Sequence, residues 1–324
     1  MRLICPQCRG ELRQEPDSYS CHHCRRQYPI LGGIPDFRLA PDPYIDIEED
    51  RAKGLLLLQE GKIRGFEGLL RYYYSITPED PADLAQHWIR RALEELEIAQ
   101  EVLDDYGLRQ IPGVLLDVGC STGAMLAASS APNRLVFGVD VAFRWLAVGS
   151  IRLQELGISH CFICANAESL PFPSGSVDVL TAMDLMEHVR DPLAAFKEMH
   201  RVLRVGGTSL WSTNNRYCPI PDPQIRLWGV GLLPRRWQRP YVAYRRPDLH
   251  AYHVSMMSAG ELRRLCHQAG FNLIKTGPAL LRAPHLDNKV LTATLRVYNL
   301  LTRIPGVRGF LEWVGPKLAA KAVR

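Results

Sequence analysis

The stretch Val114 to Gly123, VLLDVGCSTG, constrains this chain more than any other. A continuous apolar run that carries Asp117 and ends in a turn bracketed by Gly119 and Gly123 reads as a buried parallel strand that stops and folds sharply into a helix. Glycine serves such a turn twice: it reaches positive φ without steric cost, and its missing side chain lets a ligand lie against the backbone. The helix starting near Ala124 would then direct its unpaired amides toward that ligand. The spacing does not suit a dinucleotide, whose pyrophosphate calls for G-x-G-x-x-G, because Cys120, Ser121 and Thr122 separate the two glycines.

The segments that follow extend the pattern. Leu135 to Val141, LVFGVDV, is a second apolar strand ending in Asp140, where doubly wound folds place a carboxylate on a ribose. His160 to Phe172 contains Asn166-Ala167, Ser176 to Val189 reads as a fourth strand and its loop, and Glu198 to Gly207 as a helix and turn before a fifth strand, Thr208 to Thr213. In this order, from Val114 to Asn214, they resemble the class I S-adenosylmethionine (SAM) dependent methyltransferases, in particular the type-11-like domain. The family's acidic-x-Gly-x-Gly-x-Gly motif is matched at Asp117, Gly119 and Gly123, with Ser121 replacing the middle glycine. The resemblance implies an α/β, Rossmann-like sheet of seven strands with helices on both faces. It also implies a SAM site: Asp117, Gly119, Cys120, Ser121 and Gly123 at the turn, Asp140 and Val141 at the ribose, Asn166 and Ala167 at the adenine, Met183 at the fourth strand end. Asn166 stands where the family usually has Asp, keeping an acceptor and adding a donor.

Nine cysteines fall into two groups. Cys5, Cys8, Cys21 and Cys24 form CxxC, twelve intervening residues, CxxC, the spacing of two knuckles offering four thiolates to one structural zinc. With Tyr28-Pro29-Ile30 and Gly33-Ile34-Pro35 behind them, they resemble the zinc-ribbon family of small methyltransferase activators. A segment this short lacks a core of its own, so metal binding is expected to supply its folding free energy. The remaining cysteines, Cys120, Cys161, Cys164, Cys218 and Cys266, read as reduced, buried thiols; Cys161 and Cys164 share a strand but face opposite sides.

The chain therefore divides into a zinc ribbon over 1–40, a helical cap and linker over 41–111, a methyltransferase domain over 112–285 with an insertion at about 215–250, and amphipathic helices over 286–324. In the cap, Leu84, Trp88, Ala92, Leu96, Ala99 and Leu103 form one helical stripe, Pro78 and Pro81 separate two helices, and Tyr72, Tyr73, Tyr74, His87 and Trp88 serve either a helical core or an acceptor pocket. The insertion has little periodicity; its Arg235, Arg236, Arg239, Arg245 and Arg246 suit an anionic group. Ser258 to Gly270 carries a capping box and a glycine stop. Val290 to Leu301 and Val307 to Val314, followed by Lys317, Lys321 and Arg324, fit either peripheral membrane contact or packing on the enzyme.

Hydrophobic content of 47%, charged content of 23% and a net charge of +5 over 324 residues are ordinary for a globular enzyme and too weakly basic for a dedicated nucleic-acid binder. No signal-peptide core opens the chain, so a cytoplasmic location is expected, peripheral at the inner membrane face if the tail binds there. The expected function is methyl transfer from SAM to a small-molecule acceptor, lipid-linked or saccharide. The alternatives are a base methyltransferase for ribosomal or transfer RNA, which lacks its usual tetrapeptide where Met183-Asp184-Leu185-Met186 stands, and a non-catalytic SAM-binding scaffold. Candidate general bases are His188, His250 and His253, with the oligomeric state left open.

Overall fold

The N-terminal segment forms four short antiparallel strands in sequential order: β1 (Leu12–Gln14), β2 (Ser18–Cys21), β3 (Gln27–Leu31) and β4 (Ile34–Pro35). So small a sheet cannot close a core alone. In the computed structural model, which describes residues 1–77, 82–159, 161–221, 225–247, 249, 253–282 and 289–324, it shares one with the rest of the chain. Tyr28 and Phe37 are buried, with ring centroids 5.0 Å apart, in the same cluster as Val139, Ile163 and Phe172. The ribbon is thus packed as part of the larger body, where the sequence treats it as a separate module. The Phe37 amide donates to the Cys164 carbonyl at 2.7 Å, and that of Ile4 to Pro171 at 3.0 Å.

The cap consists of α1 (Ile47–Ser75) and α2 (Ala82–Asp105); Pro78 and Pro81, assigned to the break between them, lie outside the described residues. Gly65, at φ +65°, interrupts α1, and its missing side chain admits Glu155, whose carboxylate accepts from the Phe66 amide at 2.9 Å and so caps the second half. The expected stripe on α2 is apolar and turned inward, with Leu84, Ala99 and Leu103 buried.

Next come β5 (Gly113–Val118), α3 (Ala124–Ser129), β6 (Arg134–Asp140), α4 (Phe143–Glu155), β7 (Cys161–Cys164), β8 (Val177–Met183), α5 (Pro192–Val202) and β9 (Leu203–Asn214). After them stand α6 (Arg235–Arg245), α7 (Ala259–Gln268), β10 (Leu273–Pro278), α8 (Lys289–Leu301), α9 (Pro305–Val314) and β11 (Lys317–Val323). The seven-stranded sheet has the order β10-β11-β9-β8-β5-β6-β7. β5 to β9 pair in parallel, whereas β11 enters antiparallel between β9 and β10. Cys161 and Cys164 face opposite sides as expected, but of the five thiols read as buried Cys161 is exposed and Cys218 half-buried, because β7 is an edge strand and Cys218 lies in the loop after β9. The capping box at Ser258 and Glu261 is present.

Two sequence expectations are corrected. The last residues are not a basic tail: Leu318, Ala320 and Ala322 are fully buried in β11, Lys317 pairs with Asp184, Lys321 donates to the Tyr106 carbonyl, and Arg324 to those of Arg201 and Leu203. A strand made of small residues carries little β signal, so topology decides it. The insertion, in turn, holds the helix α6 despite Pro240, because Val242 packs with Ile225, Leu227, Val254 and Met256 in a small core. Among the described residues no helix is long and apolar enough to cross a membrane.

A buried ionic network joins ribbon, cap and sheet. Arg38 bonds Asp36 at 2.7 Å and Asp50 at 2.6 Å, all three side chains fully buried. Arg144 bonds Asp50 and Asp42, each at 2.8 Å, and Arg51 bonds Asp36 at 2.8 Å. Three carboxylates thus meet three guanidiniums, and Asp50 also accepts the Phe143 amide at 2.7 Å, a negative charge at the start of α4. Removing one member leaves its partners charged and dry. Arg38→Ala is therefore expected to cost about 3–5 kcal/mol of unfolding free energy, measured by urea denaturation.

Candidate active site

The turn after β5 has the shape its sequence implies. Gly119 sits at φ +76° with Leu185 so close that a β-carbon would lie 2.9 Å from it. Ser121, in the place of the family's middle glycine, is held at φ +46°, a conformation a non-glycine residue adopts at some cost. Its amide donates to Asp140 at 2.8 Å, and the Ala142 amide to the other oxygen at 2.9 Å, so the carboxylate is fixed while each oxygen keeps a second lone pair for a ligand hydroxyl. Burial raises the Asp140 carboxyl, opposed by those two amides. Asp117 accepts from the Thr181 hydroxyl at 2.6 Å, and burial pushes its carboxyl up to about 7, helped by the charges of Asp140 and Glu95.

These groups open onto a cavity of about 1580 Å³, larger than the roughly 300–1,000 Å³ usual for a single small ligand. Asp117, Gly119, Cys120, Ser121, Asp140, Val141, Asn166, Ala167 and Met183 line it. Gly123 does not; at φ +74° it opens α3, and its bare α-carbon faces the Phe162 ring. α3 itself spans only six residues, too short to contribute much of a dipole.

Asn166 departs most from its expected role. Its Oδ1 accepts from the Leu39 amide at 2.8 Å and the Ala40 amide at 3.1 Å, while Nδ2 donates to the Ala40 carbonyl at 3.1 Å. The side chain is spent on the segment leaving the ribbon, and Pro41, Asp42, Pro43 and Tyr44 beyond it form part of the cavity wall. An Asp at this position would lack the donor for Ala40.

Beside the turn, Asp184 follows β8, the strand paired with β5, at φ +53° and pairs with Lys317. Burial would raise its carboxyl, but Lys317 and the Ser212 hydroxyl, at 2.7 Å, outweigh that and hold it below the usual range. Lys317 was not visible as a site residue in the sequence, since only the late strand β11 brings it here. Glu187, fully buried, accepts from the Thr213 hydroxyl at 2.7 Å; burial and the nearby Asp184 push it up to about 7.

Of the candidate bases, His188 lines the cavity. His253 instead packs edge-on against Tyr44 with centroids 5.2 Å apart and is not a lining residue, and His250 lies outside the described residues. Tyr73, Tyr74, His87 and Trp88 reach the cavity, while Tyr72 lies beneath the Arg64 guanidinium. The arginines of α6 do not line it; Arg235 pairs with Glu261 at 3.1 Å. Leu280, Leu281, Leu291 and Leu295 form an apolar end.

Outside the cavity, the sulfurs of Cys5, Cys8, Cys21 and Cys24 all lie within 4.8 Å of one another. Cys5 and Cys24 are 3.6 Å apart, Cys8 and Cys21 3.5 Å. Thiolates tetrahedral about zinc sit about 3.8 Å apart, so the cluster fits that ion closely. The Tyr28 hydroxyl, 3.1 Å from Cys5, can donate to the sulfur and orient it.

The sheet order, its antiparallel β11 and the glycine turn are those of the Rossmann-like class I methyltransferase fold. Residues 116–210 match the family described as a methyltransferase domain, type 11. The chain is similar to the ubiquinone biosynthesis O-methyltransferase of Aromatoleum aromaticum, 30% identical over 163 residues that make up 48% of this chain and 62% of that protein. Its similarity to the enzyme of the same name from Pseudomonas syringae pv. tomato is 33% over 130 residues, 37% of this chain and 53% of that one. The chain thus spans between 53% and 62% of the length of these curated relatives. Among solved structures it is similar to phosphoethanolamine N-methyltransferase 2 of Haemonchus contortus in complex with S-adenosyl-L-methionine. That identity is 18% and the TM-score 0.47, covering 70% of this chain and 52% of that one.

Asn166→Ala should free two amides and one carbonyl at Leu39 and Ala40. Hydrogen exchange at those two amides is expected to accelerate by about five- to 150-fold, the equivalent of roughly 1–3 kcal/mol, while β5 and β8 stay protected.

Proposed function

We propose that this chain is a SAM-dependent methyltransferase acting on a small amphiphilic acceptor, of lipid-linked or saccharide type. The observation that carries the reading is one cavity running from the Asp140 carboxylate and the Gly119 turn to an apolar end at Leu280, Leu281, Leu291 and Leu295. Asp140 fits the ribose hydroxyls, Ala167 fits the adenine, and the turn backbone with Met183 at the end of β8 fits the methionine portion; the remaining volume suits a second molecule with an apolar part. The name of the relatives, ubiquinone biosynthesis O-methyltransferase, supports an acceptor of that kind.

Bound SAM supplies an activated methyl with its own leaving group, so the protein's task is mainly to align the acceptor and exclude water. His188, which lines the cavity, is the proposed general base where the acceptor enters protonated. Asp184, kept ionised by Lys317, and Lys317 itself give the acceptor side fixed charges of both signs. The four-cysteine cluster, with every sulfur committed to the ribbon, suits structural zinc and leaves no open position for catalysis. Elemental analysis of protein purified without chelator is expected to find one zinc per chain.

Incubation with methyl-labelled SAM and separated cell extracts should place label in the small-molecule or lipid fraction, and Asp140→Ala should abolish it. Label in RNA, or none in any fraction despite SAM binding, would contradict the proposal.

Asp117 makes SAM binding pH-dependent. Its folded pKa, about 7, lies above the ordinary 3.8, so its contribution to stability falls as pH rises between those values. A bound sulfonium and ammonium favour the ionised carboxylate, so binding should release a proton below about pH 7. SAM affinity, measured by calorimetry, is expected to rise with pH through that region, and Asp117→Asn to flatten the dependence.

A further inference from the structure

The helix pair α8–α9 carries the cavity's apolar end on one side and shows an uncovered apolar face on the other. Among its described residues none is buried. Leu295 lines the cavity, whereas Val297, Leu300, Ile304, Phe310 and Trp313 are exposed, Leu300 at 61%, Phe310 at 59% and Trp313 at 62%. Scattered exposed apolar residues are normal on a protein surface; this many on one helix pair are not.

The charges beside that face have a pattern. In α8, Val290 and Val297 lie seven residues apart with Lys289 and Arg296 each one residue earlier, and the turn after the helix repeats the pair as Arg303-Ile304. An apolar stripe flanked by a cationic one, with an aromatic pair at one end, is the layout of a helix lying in a membrane interface. The acidic Glu312 is already paired with Arg263 at 2.5 Å. The second surface around the cavity matches it: Leu227 and Val230 line the cavity while Trp228 and Trp237 stand exposed. Adjacent residues at the end of β9 hold both surfaces, Asn215 donating to the Trp313 carbonyl at 3.0 Å and Arg216 to that of Gly231 at 3.0 Å.

We infer that α8–α9 is the surface by which this protein rests on an anionic bilayer leaflet, and that an amphiphilic acceptor passes from the leaflet into the cavity beside Leu295. The inference rests on the proposed methyltransferase reading for its acceptor, but not for the docking itself. A second copy of the chain is the poorer occupant, because a two-fold contact through this face would bring two cationic stripes together.

The test is flotation of the full chain with phosphatidylcholine vesicles, with and without phosphatidylglycerol, at low and physiological salt. The expected result is binding that needs phosphatidylglycerol and weakens with salt. Leu300→Glu combined with Trp313→Glu should lower vesicle affinity by at least about tenfold, with unchanged melting temperature and unchanged SAM affinity. Arg296→Gln with Arg303→Gln should remove the preference for phosphatidylglycerol. No binding at low salt, binding that neither variant weakens, or a solution dimer that the first variant dissociates would overturn the inference. SAM calorimetry on the same samples keeps the two readings apart: vesicle binding without SAM binding refutes only the methyltransferase, and SAM binding without vesicle binding refutes only the docking surface.

Discussion

The buried exchange of charge around Arg38 is the interaction on which the rest of the site depends. Its guanidinium cannot be dry without Asp36 and Asp50, and Asp50 cannot be dry without Arg144 and the start of α4. Such a network adds little net stability over a well-packed apolar one, but it tolerates only one arrangement. It therefore fixes how the ribbon, the first cap helix and the β6–α4 turn meet. Arg38 also donates to the Val141 carbonyl at 3.1 Å, one residue from the carboxylate proposed to hold the ribose.

The N-terminal ribbon thereby acquires a structural reason to share a chain with a methyltransferase domain. Its own strands bury little, so its order depends on four sulfurs and on Phe37 seated against the sheet. From there the chain runs through Asn166 into the cavity wall at Pro41 to Tyr44. Cysteine cluster, ribbon, linker and cavity wall form one mechanical series, each link made of bonds too costly to leave unsatisfied.

Much of this was legible in the sequence because the relevant signals are local. The glycine turn, the acidic strand end, the two CxxC pairs and the Ser258 capping box each read correctly within a few residues. What the sequence hid is non-local. β11 reads as a basic tail because alanines and lysines favour no strand, and only its place between two partners defines it. Lys317 enters the site by the same late pairing. Asn166 has the right composition for adenine recognition, but the competing partner, a linker more than a hundred residues earlier, is set by tertiary packing. Gly123 fits the motif, yet its requirement is the Phe162 ring behind it rather than a ligand in front.

The central claim, that the ribbon builds part of the cofactor site, is tested most directly by calorimetric titration of SAM into the metal-loaded protein and into the same protein stripped by a chelator. Circular dichroism should confirm that the sheet survives stripping. The account predicts that SAM affinity falls by at least about tenfold on metal removal and returns when zinc is restored, because the linker at Leu39 and Ala40 loses its anchor. An affinity unchanged by stripping, with the ribbon shown to be metal-free, would contradict it.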